Sequence, residues 1–123
     1  MKLPLITALT AWLLAGPTLA ADAAVPFPPV GHTYENDMGG TFKLVHTYHS
    51  DTSMTFRNSS GHEETVDIHV TPVAPDVFLV WWTEENGSVV VRVEDYAKSI
   101  VYSIPHPSGA EPRQVRGTMR RID

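Results

Sequence analysis

Val77-Phe78-Leu79-Val80-Trp81-Trp82-Thr83-Glu84 and Ser88-Val89-Val90-Val91-Arg92-Val93-Glu94-Asp95 flank the tripeptide Glu85-Asn86-Gly87. Both runs are dominated by β-branched and aromatic residues, which favour a pleated surface. Asn-Gly between two such runs is the strongest short-range signal for a hairpin. Neighbouring residues of a strand point to opposite faces, so Trp81 and Trp82 cannot share one. Phe78, Val80, Trp82 and Glu84 form one face; Val77, Leu79, Trp81 and Thr83 form the other. Which face points inward is open at this stage.

Outward from the hairpin, the same period of two recurs. Val66, Ile68 and Val70 alternate with Thr65, Asp67, His69 and Thr71, one dry face against one wet face. Phe42, Leu44, His46 and Tyr48 alternate with Lys43, Val45, Thr47 and His49. Met38-Gly39-Gly40, Asn58-Ser59-Ser60-Gly61 and Pro72 to Asp76 carry turn chemistry, and Pro105 to Pro112 is the longest connection. No helical stripe appears after Thr33. The expected strands are 33–37, 41–49, 53–58, 64–71, 77–84, 88–95, 99–104 and 114–122. Eight short antiparallel strands joined by short turns form a meander. An open sheet of that length would leave two unpaired edges and one bare face. Closure into an all-β, up-and-down barrel of about eight strands removes both edges. A Greek-key sandwich is the alternative.

The chain has 123 residues and no cysteine. Thiol nucleophiles, disulfide scaffolds and cysteine-ligated metals are therefore excluded. Met1-Lys2 precede an apolar run from Leu3 to Gly16, and Thr18-Leu19-Ala20 supplies small residues for cleavage. Residues 1–20 read as a secretory signal peptide, because 14 apolar residues fall short of the roughly 20 a spanning helix needs. The expected location is exported, periplasmic or secreted, with no membrane attachment after the signal is removed. Cleavage there leaves 103 residues with a net charge of −6. That balance argues against a nucleic-acid partner. Residues 21–30, with Pro26, Pro28 and Pro29, read as an extended lead-in, and residues 31–123 as the barrel domain.

A barrel of eight strands is just wide enough for side chains or one small ligand. If Trp82 faces inward, Glu84 is a carboxylate at the rim of an aromatic-walled cavity, although its place before the turn also suits a solvated side chain. If Val89, Val91 and Val93 are core, Asp95 ends its strand near the same mouth. Tyr34 and Tyr102 offer hydroxyls on apolar bodies, and Phe56 adds an aromatic wall. The candidate ligand-binding residues are therefore Tyr34, Phe56, Trp82, Glu84, Asp95 and Tyr102. The expected partner is a small apolar or aromatic molecule, with no cofactor. Six histidines show no convergent metal spacing and read as surface and turn residues. Two other functions stay open. One is a cofactor-independent lyase or isomerase using Glu84 or Asp95 with a tyrosine. The other is an interaction or inhibitor module presenting Trp81 on its outer face.

Gly31-His32-Thr33-Tyr34, Thr41-Phe42-Lys43-Leu44, Phe78 to Glu84, Val93-Glu94-Asp95-Tyr96, Ile100-Val101-Tyr102 and Val115-Arg116-Gly117 run in an order that resembles the MoaF-like domain family. The most specific piece is Trp82-x-Glu84 followed one hairpin later by Glu94-Asp95. The resemblance covers roughly residues 31–122. It implies a small lipocalin-like barrel, similar in architecture to phenolic acid decarboxylases, and little about activity.

Overall fold

Side-chain alternation carries the chain through nine antiparallel strands and, among the described residues, no helix. The computed structural model describes Lys2 and residues 24–123. The signal segment read at residues 1–20 lies outside the described residues, Lys2 excepted. The strands are β1 (Thr33–Met38), β2 (Phe42–Tyr48), β3 (Ser53–Asn58), β4 (Glu63–Asp67), β5 (His69–Ala74), β6 (Val77–Thr83), β7 (Val89–Asp95), β8 (Ile100–His106) and β9 (Val115–Arg121). They form one sheet in the order β4-β3-β2-β1-β9-β8-β7-β6-β5.

The two ends of that order are consecutive in sequence. β4 pairs with β3, and β5 pairs with β6. Only Ile68 separates β4 from β5, and its backbone N–H donates to Thr52 O at 2.9 Å. One run of chain is thus handed from one edge of the sheet to the other, so the ribbon becomes a nearly closed barrel. The expected strand 64–71 is corrected here to two strands, and the count of eight to nine. Val66, Ile68 and Val70 still point inward through the hand-over. The alternation is continuous and only the hydrogen-bonding partner changes. Across this seam the Glu64 carboxylate accepts the backbone N–H of Glu85.

In an up-and-down barrel successive connections alternate between the two ends. Connections 39–41, 59–62, 84–88 and 107–114 lie at one end, called here the open end. Connections 49–52, 75–76 and 96–99 lie at the other, the closed end. The hairpin read from Asn86-Gly87 closes through Glu84 N–H to Ser88 O (2.8 Å) and Gly87 N–H to Glu84 O (2.9 Å). Gly87 has φ +85°, a conformation that glycine adopts without steric cost.

The core is the inner face: Tyr48, Met54, Phe56, Val66, Ile68, Phe78, Val80, Trp82 and Val90 pack together. The proline-rich lead-in contributes to it. Phe27 is buried at the closed end, edge-on to Tyr48, Phe78 and Tyr96 with ring centroids 5.1–5.8 Å apart. Pro29 beside it is also buried. Together they plug the barrel floor.

Candidate functional site in the barrel lumen

The hairpin connection fixes which residues enter the lumen. Glu84 and Ser88 close the loop, so Thr83 stands opposite Val89, Trp82 opposite Val90, Val80 opposite Arg92 and Phe78 opposite Glu94. Directly opposed residues share a face. Phe78, Val80 and Trp82 are core, so Arg92 and Glu94 are carried inside with Val90. The condition on which Asp95 would reach the mouth, Val89, Val91 and Val93 in the core, is therefore not met. Those three residues face outward, and Val93 is exposed.

Arg92 is 1% exposed and Glu94 is wholly buried. Arg92 Nε lies 3.0 Å from Glu94 Oε1, an ion pair whose N–H is not aligned for a hydrogen bond. Arg92 Nη2 donates to Asn36 Oδ1 at 2.6 Å. Arg92 Nη1 lies 3.3 and 3.4 Å from the two ring nitrogens of His46. Glu94 is held from both sides by hydroxyls, with Tyr48 donating to Oε1 at 3.0 Å and Tyr96 to Oε2 at 2.5 Å. His46 Nδ1 and Tyr48 Oη are 3.3 Å apart. Three strands and a turn residue converge here: Asn36 from β1, His46 and Tyr48 from β2, Arg92 and Glu94 from β7, and Tyr96 just beyond β7.

The electrostatics follow from burial. Burial pushes the His46 imidazole well below its ordinary range, and the adjacent Arg92 guanidinium adds to this, so His46 is neutral at pH 7. Burial also pushes the Tyr48 and Tyr96 hydroxyls well up, so both act as proton donors toward Glu94.

Above this network lies a cavity of about 220 Å³. Phe42, Leu44, Phe56, Trp82, Val90 and Val115 form its apolar wall. Asn58, Glu84, Ser88 and Ser103 add polar groups, mostly toward the open end. His46 and Arg92 sit at mid-strand, level with their ladder partners Phe56 and Ser103. Glu94, Asn36, Tyr48 and Tyr96 do not reach the cavity. The Trp82 ring stands edge-on to His46, with centroids 5.7 Å apart and planes at 82°. Arg92 Cζ is 5.8 Å from the Trp82 ring centroid, within cation–π range. Partial burial raises the Glu84 carboxyl above the usual carboxylate range. The Trp82 indole N–H pulls the other way without reaching hydrogen-bond geometry, and Glu64 raises it further.

Of the residues singled out from sequence, Phe56, Trp82 and Glu84 share this cavity. Tyr34 does not. It packs edge-on to Tyr48 and Tyr96 and borders a second cleft at the closed end with Pro28 and Arg121. Asp95 is corrected to the outer side: its carboxylate accepts the backbone N–H groups of Ala97 (3.1 Å) and Lys98 (3.0 Å), fixing the β7–β8 turn. Tyr102 is likewise corrected. It is 41% exposed on the outer face, opposite Val93 and Arg116. Trp81 is also outside, 40% exposed and stacked on His69 at 4.0 Å. The reading of every histidine as a surface or turn residue fails at His46, which is wholly buried. Sequence reasoning also missed Arg92, Glu94, Tyr48, Tyr96 and Asn36 as a group. The β6–β7 register held the signal for Arg92 and Glu94.

The sequence profile of the MoaF-like family matches residues 30–120. The chain belongs to the MoaF-like family. The match spans the barrel from just past the Phe27 plug to within β9, and so includes the whole buried network. No curated protein matches this MoaF-like chain. Among solved structures it is similar to a protein described as a putative beta-lactamase from Burkholderia vietnamiensis. The two share 22% identity over 77% of this chain and 96% of the other, with a TM-score of 0.72. Likeness at that identity concerns the fold alone.

Proposed function

We propose that this MoaF-like barrel is an exported binding protein that takes one small, mostly apolar molecule into its lumen from the open end. The observation that carries this reading is the cavity above Arg92 and His46: aromatic and aliphatic walls around a few convergent polar groups, the usual composition of a small-molecule site. At about 220 Å³ it is smaller than drug-sized sites of roughly 300 Å³ and upward, so the ligand is compact. Flat side chains on the wall (Phe42, Phe56, Trp82) favour a single aromatic ring. Export rests on residues 1–20, whose charged start, apolar run and small-residue ending suit a cleaved signal.

Calorimetric titration with benzyl alcohol, benzamide, benzoate and indole tests the lumen. At least one of them binds with one-to-one stoichiometry, and Val90→Trp, which fills the cavity, abolishes it. Failure of all four to bind, or undiminished binding in the variant, overturns the lumen reading. For export, the full chain is expressed in bacteria and the product weighed by mass spectrometry. A periplasmic product beginning at Ala21 is expected, and an uncleaved cytoplasmic chain overturns it.

A further inference from the structure

Arg92 is the single buried Lys or Arg among the described residues. A guanidinium has five N–H groups in a planar fork. Nη2 gives one to Asn36. Nη1 is shared between the two nitrogens of His46, and a neutral imidazole has only one acceptor nitrogen. Nη1 and Nη2 each carry a second N–H for which, among the described residues, no second side chain serves as acceptor. Glu94 does not take up this capacity, since its contact with Arg92 is at Nε and not at the Nη groups. Its Oε1 is engaged by the Tyr48 hydroxyl and faces Nε, and its Oε2 is engaged by the Tyr96 hydroxyl. Nε itself finds no aligned acceptor. The cation therefore has donors to spare, and the one space it borders is the apolar cavity.

On the lumen reading above, on which this rests, we propose that the ligand is a monocarboxylate: a compact apolar body, one ring or a short branched chain, whose carboxylate meets the Nη groups of Arg92. A carboxylate matches the planar fork in two parallel hydrogen bonds, which a hydroxyl or an amide does not. The ligand body then lies between Phe56, Trp82 and Val90. Ser88 and Ser103, both buried and both on the cavity wall, are the nearest hydroxyl side chains for any further polar atom. Glu94 and the two tyrosines stay behind the arginine, holding it in place without competing for the ligand. Glu84, on the same cavity wall, repels an anion, which favours placing the carboxylate at the Arg92 end of the lumen.

The test compares benzoate with its neutral isostere benzamide by calorimetry at pH 7 in ~0.15 M salt. Benzoate is expected to bind the unmodified protein at least tenfold more tightly. The preference is expected to vanish in the double variant Arg92→Met/Glu94→Gln, which removes both buried charges together, with circular dichroism verifying the fold. If that variant fails to fold, the benzoate-to-benzamide ratio in the unmodified protein decides alone. Equal affinities, or tighter benzamide, overturn the carboxylate assignment and leave the lumen reading standing. Binding of both that survives Val90→Trp places them outside the lumen and overturns both.

Discussion

Arg92 Nε and Glu94 Oε1 stand 3.0 Å apart inside the barrel, on side chains two residues apart along one strand. Removing one member leaves the other as an uncompensated buried charge, which costs about 3–5 kcal/mol. Glu94→Ala and Arg92→Ala are each expected to fall in that range by urea denaturation. Arg92→Met/Glu94→Gln is expected to be much less destabilised than the sum of single losses, because it removes the charges as a pair. Additive losses would show that the two charges are not coupled.

His46 makes the protein acid-sensitive. Burial, then the neighbouring guanidinium, holds its imidazole below the ordinary value of 6.5 in the folded state. Below that pH the unfolded chain binds a proton that the folded chain does not. Stability is therefore full above about pH 6.5 and falls as the pH drops, by up to ~1.4 kcal/mol per unit, until the folded imidazole also titrates. The other five histidines lie outside the buried core. Urea midpoints between pH 5 and 8 are expected to slope downward toward acid, and His46→Gln is expected to flatten that slope. An unchanged slope in the variant contradicts the assignment.

Much of the barrel was legible from period two and turn chemistry, and the inner lining was not. Val89, Val90 and Val91 give no cue to which face of β7 is dry, since both faces begin with valine. Arg92 and Glu94 resemble solvent residues because buried charges are rare. Counting across the hairpin would have decided the matter: once Trp82 faces inward, the register opposite Thr83–Val89 forces Arg92 and Glu94 inward as well. It also sends Asp95 outward, so Trp82 and Asp95 could not both be lumen residues. Phe56 was readable because Ser53, Thr55 and Arg57 give its strand a wet face, whereas Trp82 and Glu84 depended on a choice between two apolar faces of residues 77–82. The seam at Ile68 left no mark. Neither glycine nor proline interrupts 65–71, and the side chains keep alternating while the pairing partner changes.

Glu84 shows the opposite linkage to His46. Partial burial raises its carboxyl in the folded state, so the folded chain holds its proton to higher pH than the unfolded one. Its contribution worsens as the pH rises through that raised value and is absent below the unfolded range near 4.5. Glu84→Gln is therefore expected to raise the thermal midpoint at pH 7 and to match the unmodified protein at pH 4. Thermal scans at the two pH values check it; a variant less stable at pH 7 reverses the sign.

Gly117 faces inward on β9, where an added Cβ would meet Asp37 O at 2.5 Å and Met38 Sδ at 2.8 Å. The sulfur can move, but the carbonyl belongs to β1, the neighbouring strand. Gly117→Ala is expected to cost about 1–3 kcal/mol, as overpacking of a filled interior does. Chemical denaturation measures it, and a neutral substitution would mean that β1 and β9 can separate locally without loss.

Phe27 has a practical consequence for anyone cutting this protein down. The family profile begins at residue 30, three positions after the ring that stoppers the barrel. A fragment trimmed to that boundary would keep every strand yet shed its cork, leaving Tyr48, Phe78 and Tyr96 to face water from below. Such a fragment would be a pipe open at both ends, and dye or ligand measurements made on it would describe a different vessel from the intact one.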